Sequence, residues 1–212
     1  MNVQLALDRL TKEECFSILR DTASSIDWIE VGTGVIKQYG VSIVSEIKQR
    51  YPEKVVVADM KTCDAGRHEA VQAFESGADV TTVMAFSANK TILEMLEAAK
   101  ESGKRVMVDL LGVTDRNRLV ELHSLGVDLV CLHYGKDMQL EKEMSTDIFS
   151  LVQGLEGLEI AIAGGINKGT LPGLLEKKLD TVIVGSAITK AEEPGRAAEE
   201  LKEVIKQYEI NH

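Results

Sequence analysis

Ser76-Gly77-Ala78-Asp79-Val80-Thr81-Thr82-Val83-Met84 joins two signals: a glycine where a helix would be capped, and directly after it a short run of apolar and β-branched residues. The same order returns at Ser102-Gly103-Lys104 ahead of Arg105–Asp109, and at Leu125-Gly126-Val127 ahead of Asp128–His133. Helical patterns precede each glycine, over Gly66–Ser76, Thr91–Ser102 and Arg116–Leu125. Working outward, further runs rich in Val, Ile and Leu occupy Val3–Leu7, Asp27–Val31, Val55–Asp59, Glu159–Ala163 and Thr181–Val184, with helical patterns at Lys12–Ser25 and Gly195–Tyr208. The starts of the eight runs lie 24, 28, 24, 26, 23, 31 and 22 residues apart. A strand-and-helix unit repeated eight times, without linker or low-complexity stretch, predicts a single α/β domain over residues 1–212. Its most economical form is a (β/α)8 TIM barrel. A doubly wound open sheet is the alternative; it is disfavoured because the units fill the chain evenly and the turn after Asp8 lacks a GxGxxG fingerprint.

Composition narrows the function classes. The 212 residues are 44% hydrophobic and 27% charged with only 3 prolines, as expected of a globular chain with a sizeable core. Thirty-four acidic against 24 basic residues leave a net charge of −10, and no Lys/Arg run offers a nucleic-acid footprint. Cys15, Cys63 and Cys131 are widely separated, without zinc-site spacing, and read as reduced thiols. The first residues reach Asp8 after too short an apolar run for a signal peptide or membrane span, so a cytoplasmic protein is expected.

Barrel enzymes carry their chemistry where strands end, and here those positions are polar: Asp8, Glu30, Asp59 with Lys61, Asp109 and His133. Alternation along a strand puts Asp59 and Lys61 on one face, with Val56 and Ala58 on the other. Like charges gathered at a barrel mouth are costly, so Lys61 and a divalent cation are expected to balance the carboxylates. The competing reading makes Asp8, Asp64 and Asp109 caps of the helices that follow them, and His133 a hydrogen-bonded strand end. It suits Glu30 and Lys61 poorly, since neither is a good cap or core residue. Gly164 and Gly165 after the seventh run, and Gly185 with Ser186 after the eighth, stand where barrels bind phosphate on backbone N–H groups. Cys63 reads as a small filler, His68 and His123 as surface or packing residues, and Glu192–Glu203 as a solvated helix face.

Asp59-Met60-Lys61-Thr62-Cys63-Asp64 resembles the Asp-x-Lys-x-x-Asp signature of the orotidine 5′-phosphate decarboxylase suprafamily. Gln4–Asp8, Ile29–Thr33, Asp64-Ala65-Gly66, Ala163–Ile166 and Val184–Ile188 extend the likeness, in order, to the branch of that suprafamily that handles formaldehyde. The resemblance implies reversible aldol addition of formaldehyde to D-ribulose 5-phosphate, giving D-arabino-3-hexulose 6-phosphate. It implies Mg²⁺ held by Glu30 and Asp59 against an enediolate, with Lys61 adding positive charge and His133 moving the proton. It further implies a homodimer in which Asp64 reaches into the partner's site. The 3-keto-L-gulonate 6-phosphate decarboxylase branch shares Asp8, Glu30, Asp59, Lys61, Asp64 and His133 in pattern. The present chain has Asp109, Lys136 and Ser186 where that branch has Glu, Arg and Arg, which favours the formaldehyde branch. After His133 the chain runs Tyr134-Gly135-Lys136-Asp137-Met138-Gln139 into Leu140–Ser145 in place of the usual Gln-Ala-x-Gly, so the loop over the substrate is expected to differ. A non-catalytic sugar-phosphate-binding barrel is the reading from another class.

Overall fold

Short runs of Val, Ile and Leu flanked by amphipathic helices can bury both faces only in a sheet covered by those helices, and here the sheet closes on itself. The structure, a computed structural model, describes residues 1–141 and 146–211. Eight parallel strands follow one another around the barrel: β1 (Asn2–Leu7), β2 (Trp28–Val31), β3 (Val55–Thr62), β4 (Val80–Met84), β5 (Arg105–Asp109), β6 (Leu129–His133), β7 (Glu159–Ala163) and β8 (Thr181–Val184). Pairing of Gln4 with both Trp28 and Ile183 closes the ring through β1. The open-sheet alternative is thereby excluded.

The helices are α1 (Lys12–Thr22), α2 (Thr33–Tyr39), α3 (Ser42–Arg50), α4 (Gly66–Glu75), α5 (Asn89–Ser102), α6 (Arg116–Ser124), α7 (Met138–Glu141), α8 (Leu171–Leu175), α9 (Ser186–Thr189) and α10 (Pro194–Asn211). A capping box starts α1: Thr11 Oγ1 accepts from Glu14 N at 3.2 Å, and Glu14 Oε2 accepts from Thr11 N at 2.7 Å. The pattern that predicts a helix to Ser25 breaks after Thr22 into a 3₁₀ turn at Ala23–Ser25. At Gly103 the chain turns out of α5 with φ of +63°, a left-handed cap that glycine adopts without Cβ strain. The repeat is least regular after β6 and β7. There the described residues form only α7, a 3₁₀ stretch at Thr146–Leu151 and the five-residue α8, whose Pro172 and Gly173 are weak helix formers. Residues 142–145, within the Leu140–Ser145 loop expected to differ, lie outside the described residues.

Two apolar layers result. The larger packs outward-facing strand residues such as Leu5, Ile29 and Val108 against the helices. The smaller fills the barrel with Val57, Met107, Leu129, Cys131, Ala161 and Ile183 and ends beneath the polar strand ends. At the opposite rim, aspartates that precede three strands each accept an N–H from the strand before. Asp27 Oδ2 takes Val3 N at 2.8 Å, Asp79 Oδ2 takes Val56 N at 2.9 Å, and Asp180 Oδ2 takes Ile160 N at 2.8 Å. One end of the barrel thus serves stability, which leaves the other for chemistry.

Candidate active site

Above the inner layer lies a cleft of about 640 Å³, lined by strand ends and the loops that follow them. Asp8, Glu30, Asp59, Lys61, Asp109, His133, Gly164, Gly165, Gly185 and Ser186 all line it. Asp64 does not: it is exposed, outside the lining of its own chain's cleft.

At the floor, Lys61 Nζ stands 2.5 Å from Asp109 Oδ2 and 3.2 Å from Asp59 Oδ1. Burial alone would lower the Lys61 pKa; the charges of Asp59 and Asp109 outweigh it and keep the ammonium above its ordinary value. Asp109 is 2% exposed, and burial alone would raise its carboxyl. The hydrogen bond and charge of His133, with the charge of Lys61, hold it instead at about 2. His133 Nδ1 donates to Asp109 Oδ2 at 2.9 Å, and Leu111 N donates to Oδ1 at 2.8 Å. An ionised Asp109 can only accept, so the imidazole carries its hydrogen on Nδ1 and turns Nε2 to other work.

Glu30 has a different environment. Its Oε2 accepts from Gln4 Nε2 at 2.5 Å, and burial followed by the charge of Asp59 pushes its carboxyl up to about 8. Gln4 Oε1, buried below, has no hydrogen-bond partner. Glu30, compensated by little beyond Gln4, together with Asp59 offers hard oxygen ligands of the kind that suit a divalent cation. Mg²⁺ takes one or two protein carboxylates and fills its remaining positions with water or substrate oxygens, so the residues fit such an ion. Among the described residues no group of three His, Cys, Asp or Glu side chains gathers as metal ligands, and the carboxylates that line the cleft are Asp8, Glu30, Asp59, Asp109 and Asp137.

Simple alternation does not account for how Lys61 reaches Asp59. Ala58 pairs with Thr81 and Thr62 with Val83, so Asp59, Met60 and Lys61 together face Thr82 alone. Within this bulge Lys61 takes a φ of +48°, left-handed for a residue with a Cβ. Thr82 Oγ1 accepts from Lys61 N at 2.9 Å and donates to Asp59 Oδ1 at 2.8 Å, while Thr33 Oγ1 donates to Asp59 Oδ2 at 2.7 Å. Gln4, Thr33 and Thr82 are site residues that strand-end polarity misses. The inward faces Gln4–Ala6–Asp8 and Val80–Thr82–Met84 were the signal that could have found two of them.

The helix-capping readings do not hold. Asp109 lies well ahead of α6, which is capped by Asp115. Asp64 gives α4 no side-chain cap, because the cap residue is Ala65, left-handed at φ +51°. Asp8 does serve a helix, but not the one that follows: Thr11 caps α1, and Asp8 Oδ1 accepts from Gly34 N of α2 at 2.8 Å. Cys63 is exposed, not a packed filler. His68 is exposed on α4, and His123 packs with Nε2 3.0 Å from Glu156 O. At the phosphate-type loops, a Cβ on Gly164 would stand 2.2 Å from Tyr134 O, so only glycine fits there. One on Gly185 would enter open space, with nothing nearer than Ala6 O at 3.8 Å.

A closed barrel of eight parallel strands that brings lysine, histidine and carboxylates together at its C-terminal ends has the make-up of a (β/α)8 enzyme. The sequence profile of the Orotidine 5'-phosphate decarboxylase / HUMPS family matches residues 1–201, and the chain belongs to that family. It is 38% identical over 209 residues to the 3-hexulose-6-phosphate synthase of Bacillus subtilis, covering 98% of this chain and 100% of that one. The crystal structure of 3-hexulose-6-phosphate synthase from Salmonella typhimurium superposes with a TM-score of 0.95 at 37% identity, over 98% of this chain and 100% of that one. The 3-keto-L-gulonate-6-phosphate decarboxylase from Vibrio cholerae gives 0.87 at 30% identity, over 98% of each chain.

Proposed function

We propose that this protein catalyses the reversible condensation of formaldehyde with D-ribulose 5-phosphate to D-arabino-3-hexulose 6-phosphate, with Mg²⁺ as cofactor. The observation that carries the reading is the Asp59–Lys61–Asp109–His133 relay at the cleft floor, which pairs a fixed positive charge with an oriented imidazole. Likeness to the synthases, together with Asp109 and Ser186 at the discriminating positions, supports this substrate pair.

His133 Nε2 takes a proton from C1 of the ketose phosphate, and Asp109 stabilises the imidazolium that results. The electron pair left behind forms the C1–C2 double bond and shifts charge onto the C2 oxygen, beside the C1 oxygen, giving an enediolate close to the Lys61 ammonium, which favours the charge as it develops. C1 then forms a bond to the formaldehyde carbon, and the new alkoxide takes the proton back from His133. Mg²⁺, held by Glu30 and Asp59, would offset negative charge on the ketose oxygens. The phosphate meets the backbone around Gly164, Gly165, Gly185 and Ser186, with Arg9, Lys37, Lys136 and Lys190 at the rim adding positive charge. Asp64 serves the site of a second copy in a homodimer.

The decarboxylase reading draws on the positive charge that Lys136 keeps in the cleft lining, although its side chain is not the arginine of that branch. Product NMR with ribulose 5-phosphate and formaldehyde, beside 3-keto-L-gulonate 6-phosphate, each with and without Mg²⁺, separates the two. Hexulose phosphate formed only with the metal is expected. Faster release of CO₂ from the gulonate ester would transfer the assignment to the decarboxylase, and no turnover of either would leave a binding barrel.

A further inference from the structure

We infer that Thr82 is a positioning residue for the reaction, its single hydroxyl oxygen fixing Lys61 and the Asp59 carboxylate relative to each other. The inference rests on the proposed aldol reading for its kinetic arm and on geometry alone for its structural arm. In an ordinary parallel ladder the Lys61 N–H would bond to a carbonyl of β4. The bulge from Asp59 to Lys61 removes that partner, and the Thr82 hydroxyl replaces it at 2.9 Å. A threonine hydroxyl has one hydrogen to give, and Thr82 spends it on Asp59 Oδ1 at 2.8 Å. Oδ1 is also the oxygen that Lys61 Nζ approaches at 3.2 Å. Backbone N–H, hydroxyl, carboxylate and ammonium thus close a small ring centred on one residue of the neighbouring strand.

Thr82 is 4% exposed, so water does not readily take the place of its hydroxyl. The left-handed φ of +48° at Lys61 costs energy that its surroundings must hold, and the N–H bond to Thr82 is the contact that ties the strained backbone to β4, beside the ion pairs of the side chain with Asp59 and Asp109. Without it the bulge is free to relax toward a regular strand, and the ammonium moves relative to Asp109 and to the substrate oxygens above. A displacement of about 1 Å in a catalytic group costs on the order of 100-fold in rate.

Thr82→Val keeps the β-branched shape and removes the hydroxyl; Thr82→Ser keeps the hydroxyl and removes the methyl. The expected outcome for valine is a kcat about 100-fold lower with KM for ribulose 5-phosphate within about threefold of wild type, and for serine recovery to within about fivefold of the wild-type kcat. Crystal structures of both variants provide a readout independent of turnover: the Lys61–Asp59 contact opens in Thr82→Val and persists in Thr82→Ser. Valine with wild-type kcat and an unchanged Lys61–Asp59 contact overturns the inference. So does serine that folds yet loses as much kcat as valine, because the methyl would then be what matters. Should valine not fold, the serine variant decides alone. Should wild-type protein fail to condense the two substrates, the aldol reading falls and the two crystal structures still judge Thr82.

Discussion

Lys61 sits between two carboxylates, and the value of its charge differs between ground and transition states. In the resting site it is neutralised by Asp59 and Asp109; in the proposed mechanism the same charge would stabilise the reacting oxygens once an enediolate forms above it. Lys61→Ala is therefore expected to keep the far-UV circular dichroism of the native protein while lowering kcat on the order of 1,000-fold, and a soluble variant with near-normal turnover would sink the assignment. Glu30 supports a prediction about pH. Its carboxyl is raised to about 8 in the folded protein, so the native state holds a proton that the unfolded chain releases above its ordinary range, near 4.5. The stability this gives is full below that range and is lost as the pH rises through about 8. Melting curves of metal-free protein should thus fall in temperature from pH 5 to pH 8, the fall should flatten in Glu30→Gln, and Mg²⁺ should restore most of it at pH 8. A flat wild-type profile would show that the carboxyl is not buried against Asp59. Gly185→Val, which places a side chain in the open cleft, should raise KM for ribulose 5-phosphate by tenfold or more with a smaller change in kcat. At this scale the sequence was legible where a charged residue ended an apolar run, as at Glu30, Asp59, Asp109 and His133. Thr82 escaped notice because threonine is an ordinary strand residue, Thr33 because it opens α2 beyond its strand, and Gln4, though it shares the inward face of Ala6 and Asp8, because a buried glutamine is distinguished only by what faces it across the barrel.

Strands are held from below by the aspartates that precede their neighbours, and Asp79 is the most heavily engaged of these. It takes Val56 N while Lys48 and Lys104 each approach it to 2.7 Å. Burial alone would raise its carboxyl, but hydrogen bonds from Lys104, Lys48 and Val56 N lower it below the ordinary value. The stability it contributes is therefore present above the usual carboxylate range and lost as the pH falls through the depressed value. Asp79→Ala should cost roughly 2–3 kcal/mol in urea denaturation at pH 7 and much less at low pH, leaving kcat unchanged because β3 carries the site at its far end. Equal losses at both pH values would mean that packing, not charge, holds this rim. Elements themselves were legible to within a residue or two where glycine caps and apolar runs agree, as across α5, Gly103 and β5. Two kinds of departure have local causes. The β3 strand runs on to Thr62 because the bulge at Asp59–Lys61 lets pairing with β4 resume, a shift in register that composition cannot show. After β7, where no helical pattern stands out in the sequence, the helix of the repeat is only the short α8, because Pro172 and Gly173 interrupt an otherwise leucine-rich segment.

Across the whole molecule, closure of the barrel follows from eight units that each bury an apolar face, and this was legible because the repeat spans the chain. What lies beyond one chain was not. Asp64 is exposed, does not cap α4 and stands outside its own cleft, although it belongs to the same short segment as Asp59 and Lys61. Beside that segment Phe86, 64% exposed, is presented on the loop between β4 and α5. That loop is firmly held: Arg118 donates to Ala85 O at 2.7 Å and to Ser87 O at 2.8 Å, and Ser87 Oγ donates to Thr62 O at 3.2 Å. An apolar side chain fixed in solvent on a loop tied to the Asp59–Asp64 segment is what the proposed two-fold contact with a second copy would cover, each Asp64 completing the other subunit's cleft. The arrangement makes a quantitative prediction. Lys61→Ala and Asp64→Ala homodimers should each be inactive, whereas a heterodimer of the two would contain one site with both native residues and one with neither. Random exchange makes half the dimers mixed, so activity should return to about one quarter of the wild-type value per site. Exchange is verified by native mass spectrometry of chains that differ in isotope label. Mixed dimers without recovered turnover would confine the action of Asp64 to its own subunit, and a chain that remains monomeric at assay concentration would remove the shared site altogether.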